Sequence, residues 1–284
     1  MNPPVAAGPD PDWNEVWKSR QALHELSRIP DDPSHNWSSR KNAERYAACA
    51  ASGDDRVRRT LASLDITRDS RVLDIGAGPG ILALPLARLV HEVCAVEPGA
   101  GMVAILQERA AQERITNISC VQKTWEDVDI ARDIAAPYDL VIASLSLTME
   151  DIRAALNKMD AVAAGQVCLY WFADMPFWER MYADLWEPLH GRPYYSGPKA
   201  DCLFNVLYQM GIYADVEMLP LEKEYRFASF EEMETFFCRR FGAESQEQQE
   251  IVSRYLAPMV RSNGGDIAIS GSSTLAGIMW KKKQ

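Results

Sequence analysis

The run Arg71-Val72-Leu73-Asp74-Ile75-Gly76-Ala77-Gly78-Pro79-Gly80 sets three glycines at alternate positions directly behind a short apolar stretch. Glycine tolerates the tight turn from a strand into a helix, and without a Cβ it lets a ligand reach the backbone amides. A loop of that kind suits a nucleotide-like ligand. Two acids frame it. Asp74 closes the apolar stretch, where it would hold a cationic group directly or through water, whereas a pyrophosphate would be repelled. Glu97 ends the next apolar stretch, 17 residues past Gly80, where a carboxylate can accept both hydroxyls of a ribose. Ile81 stands where the dinucleotide fingerprint requires its third glycine, which together with Asp74 makes an NAD-dependent oxidoreductase the weaker reading.

The surrounding pattern supplies the elements that must position these groups. Short apolar runs at Val72–Ile75, Val93–Val96, Ile118–Val121, Leu140–Ala143 and Val167–Tyr170 alternate with helical patterns at 81–90, 100–114 and 149–163. Buried strands alternating with helices predict a doubly wound α/β sheet, mostly parallel. Before it, residues 1–60 read as a Pro-rich, disordered leader followed by helices carrying Trp13, Trp17, Trp37 and Tyr46. After Asp174 the alternation lapses into an aromatic stretch broken by Pro188, Pro193 and Pro198. It resumes with a helix at 201–210, a strand at 212–219, a helical segment around Met233 and Phe237, and a last strand at Ala276–Trp280. The expected organisation is an N-terminal helical lid (1–60), a cofactor-binding core (61–174), an aromatic insert on the substrate side (175–204) and a C-terminal completion of the sheet (205–284).

The segments VLDIGAGPG and AVEPG resemble the class I S-adenosylmethionine-dependent methyltransferases, most clearly over residues 60–175. The resemblance implies a seven-stranded Rossmann-like sheet whose last strand is reversed, with S-adenosyl-L-methionine as cofactor. It implies that Gly76, Ala77, Gly78 and Gly80 face the methionine and ribose portion, that Asp74 supports the loop or the amino group, and that Glu97, followed by Pro98, binds the ribose diol. Adenine would be read after the third strand. Thr124 occupies the register where that family often has an acid, so Trp125 and Glu126 are the adenine candidates, Trp125 being equally suited to the core. Ser144, ending the fourth strand, either lines the pocket or caps a helix.

The sulfonium methyl is already electrophilic, so an enzyme of this kind aligns a nucleophile, excludes water and accepts a proton where one must leave. Ala143-Ser144-Leu145-Ser146-Leu147 lacks the Asn/Asp-Pro-Pro-aromatic run of amino-methylating enzymes, and it lacks the clustered Asp and Asn of metal-dependent catechol-type enzymes. No metal is expected. A small-molecule acceptor is expected between the lead-in segment, with His35, Trp37, Arg40 and Tyr46, and the insert, with Trp178 and Tyr194 as substrate contacts and His190 and Tyr195 as candidate catalytic groups. A protein side-chain methyltransferase and a non-catalytic cofactor-binding module remain alternatives. Glu97 is expected to serve the ligand and to matter little to the apo fold.

Composition narrows the partners. Lys+Arg number 30 against 40 Asp+Glu, a formal charge of −10, which disfavours a nucleic-acid phosphate backbone. The cluster Arg56, Arg58 and Arg59 reads as a solvated helix face. Six scattered cysteines form no CxxC pair, so neither a zinc site nor a disulfide framework is indicated. The Pro-rich start lacks a secretory pattern, and no run is long enough to span a membrane, so the cytosol is the expected compartment.

Overall fold

The computed structural model describes residues 11–29, 36–51, 54–263 and 266–282. The leader before residue 11 and His35 lie outside them. Eight strands form one sheet: β1 (Arg71–Ile75), β2 (Glu92–Val96), β3 (Ile118–Val121), β4 (Tyr138–Ser144), β5 (Ala163–Phe172), β6 (Asp215–Phe227), β7 (Arg261–Asn263) and β8 (Asp266–Lys281). Their order is β3-β2-β1-β4-β5-β8-β6, with the short β7 beside β8. The first five are parallel, and β8 runs antiparallel to both β5 and β6. The expected mostly parallel sheet with a reversed last strand is therefore present.

Alternation along the central strands feeds two faces, as a period of two requires. Leu73 and Val141 join a core with α6 (Ile152–Val162) and α8 (Ala200–Gln209), whereas Val72 and Ile142 face α3 (Asp54–Ser63), α4 (Ala83–Ala87) and α5 (Ala100–Gln112). The first core also takes in α1 (Trp13–Glu25). Trp17 is fully buried against Trp171, with ring centroids 6.2 Å apart, and its indole donates to the Met149 carbonyl at 2.9 Å. Asp12 caps α1 by accepting the Asn14 N–H. α2 (Arg40–Ala51) lies instead on α5, where Ala43 packs against Met102 and Ile105 and Arg40 forks onto Glu108 at 2.6 and 2.8 Å.

The C-terminal strands are longer than their apolar cores suggest. β8 begins pairing with β5 only at Leu275, opposite Phe172, while its pairing with β6 reaches Ile267. Residues 266–274 therefore carry the two strands roughly 30 Å past the end of β5, at about 3.3 Å per residue. This arm supports a third core, in which Tyr225 and Phe227 meet α7 (Phe177–His190), α9 (Phe230–Phe241) and α10 (Gln246–Leu256). Of the breaks expected at Pro188, Pro193 and Pro198, the first is absent: Phe177–His190 form one helix, α7, which runs through Pro188, whereas Pro193 and Pro198 lie in the non-helical segment after it. Pro188 sits in its last turn, where it withholds the N–H that the carbonyl four residues back would accept, and Gly191 at φ 65° closes the helix.

Candidate active site

The glycine loop begins where β1 ends. Gly76, Gly78 and Gly80 all adopt positive φ, at 72°, 55° and 82°. The N–H groups of Gly76 and Ala77 both donate to the Val96 carbonyl, at 2.7 and 3.1 Å, which ties the loop to the end of β2. A Cβ on Gly76 would overlap Ser146, whose hydroxyl donates to the Ile75 carbonyl at 2.6 Å, and a Cβ on Gly80 would press on Leu84 and Leu106. Gly78 has open space beside it and is the loop's half-buried crest.

Glu97 is buried beneath that crest. Its Oε2 accepts the Gly78 N–H at 2.9 Å and its Oε1 accepts the Gly99 N–H at 2.7 Å. A carboxylate offers about four lone-pair sites, so two amides leave capacity for a diol. The two bonds also give Glu97 a structural task that the sequence reading lacked: without it, two amides in a buried turn lose their acceptor. Burial raises its pKa, and the two N–H bonds pull in the opposite direction. Asp74, one strand away, is 2% exposed, and its Oδ2 has no hydrogen-bond partner. Burial, and secondarily the charge of Glu97, pushes its carboxyl up to about 7. Pro98 is exposed at the rim, and Gly99 and Gly101 lie so close to Trp37, Ser38 and Ser39 that a Cβ would collide with them. The segment leading into α2 thus covers the end of β2, with Tyr46 edge-on to Trp37 at 5.4 Å.

The residues after β3 divide. Trp125 is 2% exposed within the first core and donates to the Ala155 carbonyl at 3.1 Å, so its side chain is a core group and presents no face to a ligand. Glu126 is exposed, and Thr124 donates to Asp127 at 2.6 Å in a local turn. Ser144 does not cap a helix; Asp151 caps α6, and Ser144 Oγ accepts from Arg56 at 3.1 Å. The arginine cluster on α3 is therefore no uniform solvated face. Arg58 and Arg59 pair with Asp55 on the surface, whereas Arg56 turns inward to the end of β4.

A pocket of about 170 Å³ opens at the end of β5, with Thr148 from the segment after β4 on its wall. Its walls include Trp171 and Phe172 from β5, Trp178 and Tyr182 from α7, and Tyr194; His24 on α1 closes one side. At its polar end Glu179, 7% exposed, accepts from Ser196 at 2.6 Å, from Lys199 at 2.8 and 3.1 Å, and from the Tyr194 hydroxyl at 3.3 Å. Burial and the neighbouring Glu179 charge drive the Tyr194 phenol's pKa far up, so it remains a donor. Neither Glu179 nor Lys199 carried a signal in the sequence; only their convergence in space distinguishes them from surface charges.

The expected catalytic pair lies elsewhere. His190 ends α7 against the third core, its Nε2 2.9 Å from the Phe241 carbonyl and its ring against Trp186. Tyr195 engages through its backbone, its N–H donating to Ser27 and its carbonyl meeting His24. Neither residue lines the pocket. Among the described residues no group of three or more His, Cys, Asp or Glu is placed to hold a metal, five cysteines are free thiols, and no helix is long and apolar enough to cross a membrane.

Residues 72–165 match a family described as a methyltransferase domain. An uncharacterized protein of Haemophilus influenzae is 30% identical over 162 residues, 57% of this chain and 58% of that protein. A protein of Methanosphaera stadtmanae described as "probable ribosomal RNA small subunit methyltransferase A" is 32% identical over 92 residues, 32% of each chain. The chain thus spans less than two thirds of the length of either curated relative. Among solved structures, the YcgJ protein of Bacillus subtilis has a similar fold, with a TM-score of 0.54 and 16% identity over 80% of this chain and 98% of that one. Family match, strand order and glycine loop agree: residues 72–165 carry a methyltransferase domain, built on a class I, Rossmann-like sheet whose cofactor is S-adenosylmethionine.

Proposed function

We propose that this protein transfers a methyl group from S-adenosylmethionine to a small-molecule acceptor held in the aromatic pocket at the end of β5. The observation that carries this reading is the pocket itself, walled by Trp171, Phe172, Trp178 and Tyr194 at the end of β5, the strand paired with the β4 that borders β1. At about 170 Å³ it is smaller than the roughly 300–1,000 Å³ of drug-sized sites, which favours a compact acceptor over a macromolecule. The net charge of −10 argues in the same direction against an RNA backbone.

The cofactor fits the residues present. The space beside Gly78 is open to a ligand, Glu97 retains lone pairs for a ribose, and the unpartnered Asp74 Oδ2 suits a cationic amino group. When bound, S-adenosylmethionine supplies an electrophilic methyl group. The chain's own work is then placement. Trp171, Phe172 and Trp178 exclude water around the acceptor, and Glu179, paired with Lys199, accepts the Tyr194 hydroxyl's hydrogen bond, which fixes the phenol oxygen as an orienting acceptor. Glu179 is occupied by three donors and so holds geometry rather than taking a proton.

Two measurements test the reading together. Calorimetry with S-adenosylmethionine and S-adenosylhomocysteine should show one site per chain. Incubation with methyl-labelled cofactor and a fractionated cell extract should place label in the small-molecule fraction. Label in RNA or protein would overturn the acceptor class, and absence of binding would overturn the whole reading.

A further inference from the structure

We propose that Arg56 and Ser144 form a carboxylate-binding site at the edge of the glycine loop. The inference rests on the cofactor reading above and adds a residue that neither the glycine motif nor the family match identifies, since residue 56 precedes the matched segment.

Arg56 leaves α3 and reaches inward, away from the Asp55 that pairs with Arg58 and Arg59. Among the described residues its hydrogen-bond partner is the neutral Ser144 hydroxyl, at 3.1 Å. The groups that act on its charge are the phenols of Tyr46 and Tyr170, with no carboxylate among them, and burial lowers its pKa. A guanidinium withdrawn from water gains little from one serine oxygen, and its planar fork leaves donors unused. Such a cation becomes favourable when an anion completes it, and a carboxylate matches the fork with two parallel bonds.

Its position narrows the ligand. β1 pairs with β4 so that Ile75 stands opposite Ala143, which sets Ser144 beside Gly76 at the start of the loop. Ser146, two residues on, hydrogen bonds to the Ile75 carbonyl. Asp74, a buried acid with an unpartnered oxygen, lies at the end of the neighbouring strand. A buried acid and an inward arginine flanking one loop complement a zwitterion, and the α-amino-acid head of the cofactor is one. A carboxylate on the acceptor is the other source with the same chemistry.

Calorimetry on the full chain separates the sources. S-adenosylhomocysteine carries the amino-acid head, whereas 5′-deoxy-5′-methylthioadenosine keeps the adenosine and thioether without it. If the cofactor supplies the carboxylate, the wild type should prefer S-adenosylhomocysteine, and Arg56→Gln should weaken that ligand about 10- to 100-fold while leaving methylthioadenosine binding within about twofold. Arg56→Lys, which keeps the charge but not the fork, should recover part of the loss. If the acceptor supplies it, S-adenosylhomocysteine affinity stays unchanged in Arg56→Gln, but the loaded wild type binds benzoate in preference to benzamide and the loaded variant loses that preference. Thermal melting of each variant checks that it is folded, and Arg56→Lys serves where Arg56→Gln is not. Wild-type behaviour of Arg56→Gln toward both S-adenosylhomocysteine and benzoate would overturn the proposal and make Arg56 a packing residue. A wild type that binds neither adenosine ligand would overturn the cofactor reading beneath it.

Discussion

Glu97 Oε2 accepts the Gly78 N–H at 2.9 Å, so the acid that ends β2 also holds the crest of the loop that follows β1. Ligand contact and loop geometry therefore depend on one side chain. Glu97→Ala should weaken S-adenosylhomocysteine by about 1.5–3 kcal/mol, the scale of hydrogen bonds to a charged group. Because the Gly78 and Gly99 amides are left without their acceptor, the apo protein should also lose about 1–3 kcal/mol of stability. Calorimetry and urea unfolding read the two effects separately. An unchanged urea midpoint would show that water replaces the carboxylate at both amides.

The three glycines should not respond alike. Gly76→Ala meets both a positive φ of 72° and the Ser146 side chain, whereas Gly78→Ala meets only a φ of 55° in open space. The first should cost about 3 kcal/mol or more and disable cofactor binding; the second about 1 kcal/mol, the left-handed backbone penalty alone. Equal losses in thermal unfolding would contradict the packing of Ser146 under the loop.

Stability should depend on pH through Asp74. Its carboxyl moves from an ordinary value of 3.8 up to about 7 in the fold, so the native state retains a proton that the unfolded chain releases. The contribution of Asp74 to stability is then greatest at and below about pH 4, falls as pH rises toward about 7, and levels off above it. Asp74→Asn should remove that slope and exceed the wild type at pH 8 by up to about 4 kcal/mol, while matching it near pH 4. Urea titrations at pH 4, 6 and 8 provide the comparison, and parallel curves for the two proteins would count against a buried neutral Asp74.

The N-terminal helices should divide in their dynamics. Trp17 is fully buried in the main core, so Trp17→Ala should cost about 3–5 kcal/mol, the scale of an aromatic deletion. Of the lid expected over residues 1–60, residues 36–51 lie against the end of β2 and α5 through Trp37 and α2, and we propose that this part closes over the cofactor. Hydrogen exchange should show α1 equally protected with and without S-adenosylhomocysteine, and 36–51 protected more with it. Identical exchange over 36–51 in both states would make that segment a fixed part of the fold.

His190→Ala should leave methyl-transfer kcat within about threefold, since the ring is committed to the Phe241 carbonyl and lies outside the pocket. Its cost should appear as roughly 1 kcal/mol of stability, one hydrogen bond. Trp178→Ala, in contrast, should raise acceptor KM with little change in cofactor affinity. A large kcat loss in His190→Ala would restore the histidine to the chemistry.

The cofactor half of the site is legible along the chain because its parts are local. A strand, a turn that demands positive φ and a following helix fit within about twenty residues, and the acid that completes the site ends the next strand in the same βα series. Alternating apolar runs likewise announce the parallel strands, whose side chains are buried on both faces. The acceptor half has no such local grammar. Arg56 reads like its neighbours Arg58 and Arg59 until the packing of α3 turns it toward Ser144, 88 positions away. Trp17 and Trp37 look equivalent in an amphipathic lead-in, yet one fills the core and the other borders the site. Glu179 becomes a buried anchor only when Tyr194, Ser196 and Lys199 return to it, and β8 reveals its length only by pairing with β6 beyond the end of β5. Whether a charge is solvated or buried, and whether a strand continues past its apolar segment, is decided by partners distant in the chain, since burial and pairing energies belong to contacts rather than to residues.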